Sequence, residues 1–289
     1  MMLLRSRILA GCISASAFAA LAASTALPTR VGRTPEPASR DLQQHTEAAK
    51  PLFVLIKYDP WLMVIGSDSP TFALYDDRTL IYWKQQGRRG KYYSVQLSDE
   101  EVSKVLDGIN AKAFASFKKR YEPAAGVTDM PEYLIVLKTD DGSYKDVSIY
   151  GPLGGAPEYI AKRAEYGRLP KPIDDAYRFV IAYDNPRAKA WLPPFIEVMI
   201  WPYEYAPDKD LIWPKSWPGT RDSATVSHGD MYSLFIESTH YNDLVDFLAR
   251  RRERQAVRID EKKWAVSLRF PFPGENIWNA IRSEARTAH

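Results

Sequence analysis

The chain has 289 residues, 39 of them Lys or Arg against 36 Asp or Glu, for a net charge of +3. That balance excludes the concentrated positive surface with which proteins grip nucleic acid or acidic lipid as a main partner. A single cysteine, Cys12, excludes an internal disulfide framework and a multi-cysteine zinc site.

Residues 1–26 have the layout of a signal peptide. Arg5 and Arg7 precede an uncharged run from Ile8 to Ala26 that ends in small-x-small triplets at 20–22 and 24–26. Ile8-Leu9-Ala10-Gly11-Cys12 also carries the pattern at which bacterial lipoproteins are cut and lipidated. Only four residues separate Cys12 from Arg7, however, and the apolar run continues well past it. Cleavage near Ala22 or Ala26 is therefore expected, with lipidation of Cys12 or retention as an anchor as the alternatives. No comparable apolar run follows, so no integral membrane domain is expected beyond this segment. Loss of Arg5 and Arg7 would leave a net charge of +1 and no cysteine. A periplasmic or secreted location follows, or a lipid- or signal-anchored one at the envelope.

Residues 27–50 are polar and Pro-punctuated and read as a disordered spacer. Order is expected from "PLFVLIKY" (51–58), a strand. A hairpin spans 71–83 around Asp76-Asp77-Arg78, and 90–97 is another strand. Ser98 and Glu101 form a capping-box signature ahead of Val102, Val105, Leu106 and Ile109 at helical spacing. Residues 132–151 form a hairpin turning at Asp141-Gly142. Helices are expected over 155–166 and 173–183. From Asn185 to Gly219 seven prolines are interleaved with aromatics. Apart from a strand at 195–201, regular pairing cannot run through that segment. A strand (231–238), a helix (240–251), a hairpin (256–270) and a helix (274–286) complete the order.

This succession predicts an α+β fold, antiparallel sheets with helices on one face. Residues 91–109 overlay 230–248 without gaps, matching Tyr93 with Tyr232, Ser94 with Ser233 and Asp107 with Asp246. That match raises two related βαββ halves, 51–184 and 185–289. The "LSDEE" helix start, "TDMPEYLIVLKTDDG" and "VSIYG", within residues 91–150, resemble in layout the small bacterial emfourin-type metalloprotease inhibitors. That resemblance implies protein binding without catalysis.

Catalytic signatures are thin. Ser116-Phe117-Lys118-Lys119 fits Ser-x-x-Lys, but its companion motifs are absent. The acidic pairs 76–77, 140–141 and 174–175 fall at turns or a helix start, where Asp is favoured structurally. His228, Asp230 and His240 can form a site only if the fold assembles them. No metal or cofactor is expected. The segment Trp191 to Trp217 holds four of the eight tryptophans. Its Trp201, Tyr203, Tyr205, Trp213 and Trp217 are the candidate ligand-binding residues, as flat amphipathic faces for a protein or an envelope polymer. The expectation is a non-enzymatic exported binding protein of the bacterial envelope. The alternatives are an envelope hydrolase with a His/Asp site and an immunity or protease-inhibitor protein.

Overall fold

Phe53, Val54, Leu55 and Ile56 are each at most 1% exposed in strand β1 (Pro51–Tyr58). An uninterrupted apolar run of this kind suits a strand covered on both faces, and β1 lies inside an eight-stranded sheet. The computed structural model describes residues 49–60, 68–86 and 89–287. The expected signal peptide, Cys12 and nearly all of the spacer lie outside the described residues.

The strands β2 (Pro70–Tyr75), β3 (Thr79–Gln86) and β4 (Arg89–Gln96) follow β1 as successive antiparallel neighbours. Short β5 (Arg120–Tyr121) forms one edge, parallel to β7 (Tyr144–Tyr150). β6 (Glu132–Lys138) joins β7 to the other side of β1. In the β6–β7 turn, the hydroxyls of Thr139 and Ser143 hold the Asp141 carboxyl down to about 2. That is the turn-stabilising role which the residue type predicts.

Helix α1 (Asp99–Gly108) opens on the predicted capping box. Ser98 Oγ accepts from the Glu101 amide, and the Glu101 carboxylate accepts from the Ser98 amide. The helix expected over 155–166 shrinks to α2 (Glu158–Ala161), followed by a tight turn at Tyr166–Arg168. Gly154 and Gly155 have positive φ and Pro157 fixes the start, so the residues before 158 cannot join it. α3 (Lys171–Ala182) then packs Ile173, Ala176 and Val180 beside Val105 of α1 and its C-cap Ile109. Both helices cover the face of β1 that carries Phe53 and Leu55.

The chain returns to the first sheet through edge strand β8 (Lys189–Ala190), paired with β4. It then builds a second, six-stranded sheet. β9 (Phe195–Pro202) lies between β12 (Met231–Glu237) and β14 (Lys262–Arg269). β11 (Val226–His228) extends the β12 edge, and β13 (Val257–Ile259) carries β10 (Leu211–Ile212) in parallel at the other. Helix α4 (Tyr241–Ala249) sets Leu244 and Phe247 against Ile196, Val198, Leu234 and Val266.

The α+β class is as expected, and the two short parallel pairings make both sheets mixed. Helix α5 (Glu275–Thr287) follows the second sheet in sequence but packs on the first. Its Trp278, 2% exposed, fills the second face of the first sheet against Val54, Ile56, Ala73, Ile81 and Val136. Arg282 reinforces this placement, 3.6 Å from Asp68 and 3.7 Å over the Tyr58 ring. Gly274 permits the approach, since a Cβ there would lie 2.7 Å from the Ala49 carbonyl oxygen. The halves share the order strand, helix, hairpin. In the first, the leading hairpin strand β6 pairs beside β1, and in the second the trailing strand β14 pairs beside β9. One element order is thus carried by two sheet topologies.

The β13–β14 turn places Asp260 and Glu261 at φ 46° and 64°. A two-residue hairpin with both positions left-handed favours glycine at the second. Asp260 has a task there, accepting from the Thr220 amide at 2.6 Å and hydroxyl at 2.8 Å. For Glu261 only its backbone oxygen is engaged, by Arg258. Glu261→Gly is expected to stabilise the protein by about 0.5–1 kcal/mol, read as a higher urea midpoint at unchanged slope.

Candidate functional site: an aromatic cleft beside a buried ion cluster

Cross-strand neighbours Trp83 and Tyr92 meet with ring centroids 4.9 Å apart on the second face of the first sheet. A Cβ on Gly90 would lie 2.2 Å from Trp83 Cζ2, so the indole rests where only glycine leaves room. Just past β8, the Trp191 amide donates to the Tyr92 carbonyl at 2.9 Å, which brings the Trp191 ring to 5.9 Å from Tyr92. Phe270, leaving β14, lies 5.8 Å from Tyr92 and 5.6 Å from Tyr241, the first residue of α4. Four separate stretches of chain therefore deliver five rings to one place.

Those rings line a cavity of about 400 Å³, within the roughly 300–1,000 Å³ usual for small-molecule sites. Its rim is open: Trp83 is 37% and Leu192 41% exposed. Its polar lining comes from Ser69, Asn242 and Arg269. The Ser69 hydroxyl bonds the Tyr92 phenol, and burial pushes that phenol well above its ordinary value. Lys91 also borders the cavity, but it alternates with Tyr92 and lies opposite Lys84, so its side chain leaves on the helix-covered face.

Arg269 links the cavity to a buried ion cluster. Its guanidinium donates to Glu197 and, at 2.5 and 3.3 Å, to both oxygens of Glu275. Burial opposes its charge, but Glu275 and Glu197 more than offset this and hold its pKa above the ordinary value. Glu275 also accepts from the Phe272 amide at 3.0 Å. Nearby Asp68 has a side chain only 8% exposed, and burial raises its carboxyl despite Arg282 and Arg269.

The fold brings His228 to a serine and an acid, though not to the partners expected. His228 Nε2 lies 3.2 Å from Ser233 Oγ, and Ser233 donates to Glu197 at 2.7 Å. Since the one hydroxyl proton goes to Glu197, Nε2 carries the ring proton and donates. Ser233 is 2% exposed, so it is closed to a substrate and its proton points away from the histidine. Asp230 sits exposed in the β11–β12 turn. His240 lies 3.6 Å from Asp243, past the far end of β12, on the order of 20 Å from His228 along the strand. These three residues form no common site. Ser116 donates to the Ala113 carbonyl within a tight turn.

The structure divides the five aromatic residues of the Trp-Pro segment. Trp213 is 5% exposed, its indole bonds the Pro218 carbonyl at 2.9 Å, and its ring packs 4.9 Å from Trp217 and 5.5 Å from Phe247. Trp217 is half-buried on the same core. Trp201, opposite Ala265, and Tyr203 are half-buried, and Tyr205 alone is fully displayed at 96% exposure. The Trp-Pro units fold back because sealing α4 onto its sheet removes more apolar surface from water than a projecting loop would. Of that segment Trp191 and its neighbour Leu192 reach the cleft. The Trp83–Tyr92 contact follows from hairpin register, whereas Tyr241 and Phe270 arrive through long-range packing that no local pattern encodes.

Among the described residues no group of His, Cys, Asp or Glu is gathered as for a metal ion, and no helix is long and apolar enough to cross a membrane. Residues 71–167, about a third of the chain, match a family described as a domain of unknown function, DUF6438. That match takes in β2 to α2, and with them Trp83, Gly90 and Tyr92. No curated protein and no solved structure matches the chain.

Proposed function

We propose that the protein is a non-enzymatic exported binding protein of the bacterial envelope, and that the aromatic cleft is its binding element. The observation that carries the reading is the cavity itself, an open space lined by five rings with a few polar groups among them. Such a lining is the general form of a ligand site. Export rests on Arg5, Arg7 and the uncharged run that follows. The ligand is a protein or an envelope polymer.

Co-sedimentation of the full chain with bacterial envelope fractions tests this. Retention is expected, and at least tenfold weaker retention for Gly90→Val, whose side chain displaces the Trp83 indole. Trp83→Ala, at an exposed position, should act in the same direction without loss of folding. Equal retention of both variants would remove the cleft from the function. Protease treatment of the envelope separates a protein ligand from a polymer.

A further inference from the structure

Resting on the cleft reading, we infer that the ligand is an uncharged saccharide, bound as a terminal ring of an envelope polymer. Three features of the lining select this class. The rings of Trp83, Tyr92, Trp191, Tyr241 and Phe270 offer flat apolar faces to the C–H face of a sugar. The polar groups among them, the Asn242 amide and the Ser69 hydroxyl, are neutral and suit hydroxyl partners. A wholly apolar ligand would strip water from those groups without replacing its hydrogen bonds.

Charge decides the third point. Lys91 turns its side chain to the opposite face, which leaves Arg269 as the one charged side chain at the cavity among the described residues. That guanidinium is already held by Glu197 and Glu275. An anionic ligand would have to compete with two buried carboxylates for it, and a cationic ligand would meet the guanidinium first. A neutral ligand avoids both costs. The cavity, at the small end of the ligand-site range, takes an end unit rather than a length of polymer.

Intrinsic tryptophan fluorescence of the full chain, titrated with N-acetylglucosamine and its β-1,4 disaccharide, reads this directly. Saturable quenching is expected, with glucosamine and glucuronate at least tenfold weaker. Binding should be lost in Trp191→Ala and weakened about tenfold in Asn242→Ala, an exposed position whose substitution leaves the core intact. Charged sugars binding as tightly as neutral ones would overturn the inference. So would a proline-rich peptide that quenches in a Gly90-dependent manner where no sugar does, although the cleft would then remain the binding element. Absence of any cleft-dependent quenching by sugars or peptide, together with equal envelope retention of the cleft variants, would overturn both readings.

Discussion

Arg269→Met is expected to cost about 3–5 kcal/mol of stability, because it leaves Glu197 and Glu275 buried beside each other without their shared cation. Glu197 and Arg269 are 7% and 8% exposed, so water cannot replace the lost partner without opening the seam. Urea unfolding followed by far-UV circular dichroism measures the loss. Replacing Glu197, Arg269 and Glu275 together by apolar residues of similar volume should recover most of the loss, because the cluster's desolvation cost disappears with its charges. A loss below about 1 kcal/mol for Arg269→Met would mean that the cluster is hydrated and behaves like a surface ion pair.

Trp278→Ala should be comparably severe, about 3–5 kcal/mol, through lost burial and the cavity left behind. The indole is 2% exposed and fills the second face of the first sheet. Trp278→Phe should restore most of the stability. Differential scanning calorimetry would show the difference, with one lowered transition expected for the alanine variant. If the first sheet melts at its normal temperature without the indole, α5 is not its cover.

The two substitutions touch what local patterns in the chain did not contain. The capping box at Ser98 and Glu101 and the Asp141-Gly142 turn are legible because each is set by contacts within a few residues. The run Phe53 to Ile56 is legible as a strand, but it does not say which elements cover its two faces. One of the two partners of Arg269, Glu197, lies 72 residues away, a pairing set by strand register in the second sheet. The same limit explains the cleft. Trp83 and Tyr92 follow from one hairpin, whereas Trp191, Tyr241 and Phe270 converge only after both sheets have formed. The Trp-Pro segment misleads for a related reason. Aromatic density marks a surface that must be covered or must bind, and sequence spacing alone does not distinguish Trp213 in the core from Tyr205 in solvent.

Covering the first sheet with α5 also sets the order of events in time. Val54 waits for Trp278, a separation of 224 residues (278 − 54), before one face of its strand leaves water. A nascent chain can assemble β1 to β7 and seat α1 and α3, yet it keeps an apolar sheet face wet until its distal end arrives. Loop closure over such a span is slow, and an uncovered sheet face invites association with other chains in the interval. The helix at 275–287 is in that sense a latch, and the hazardous period for this protein is the time between making its first strand and closing it.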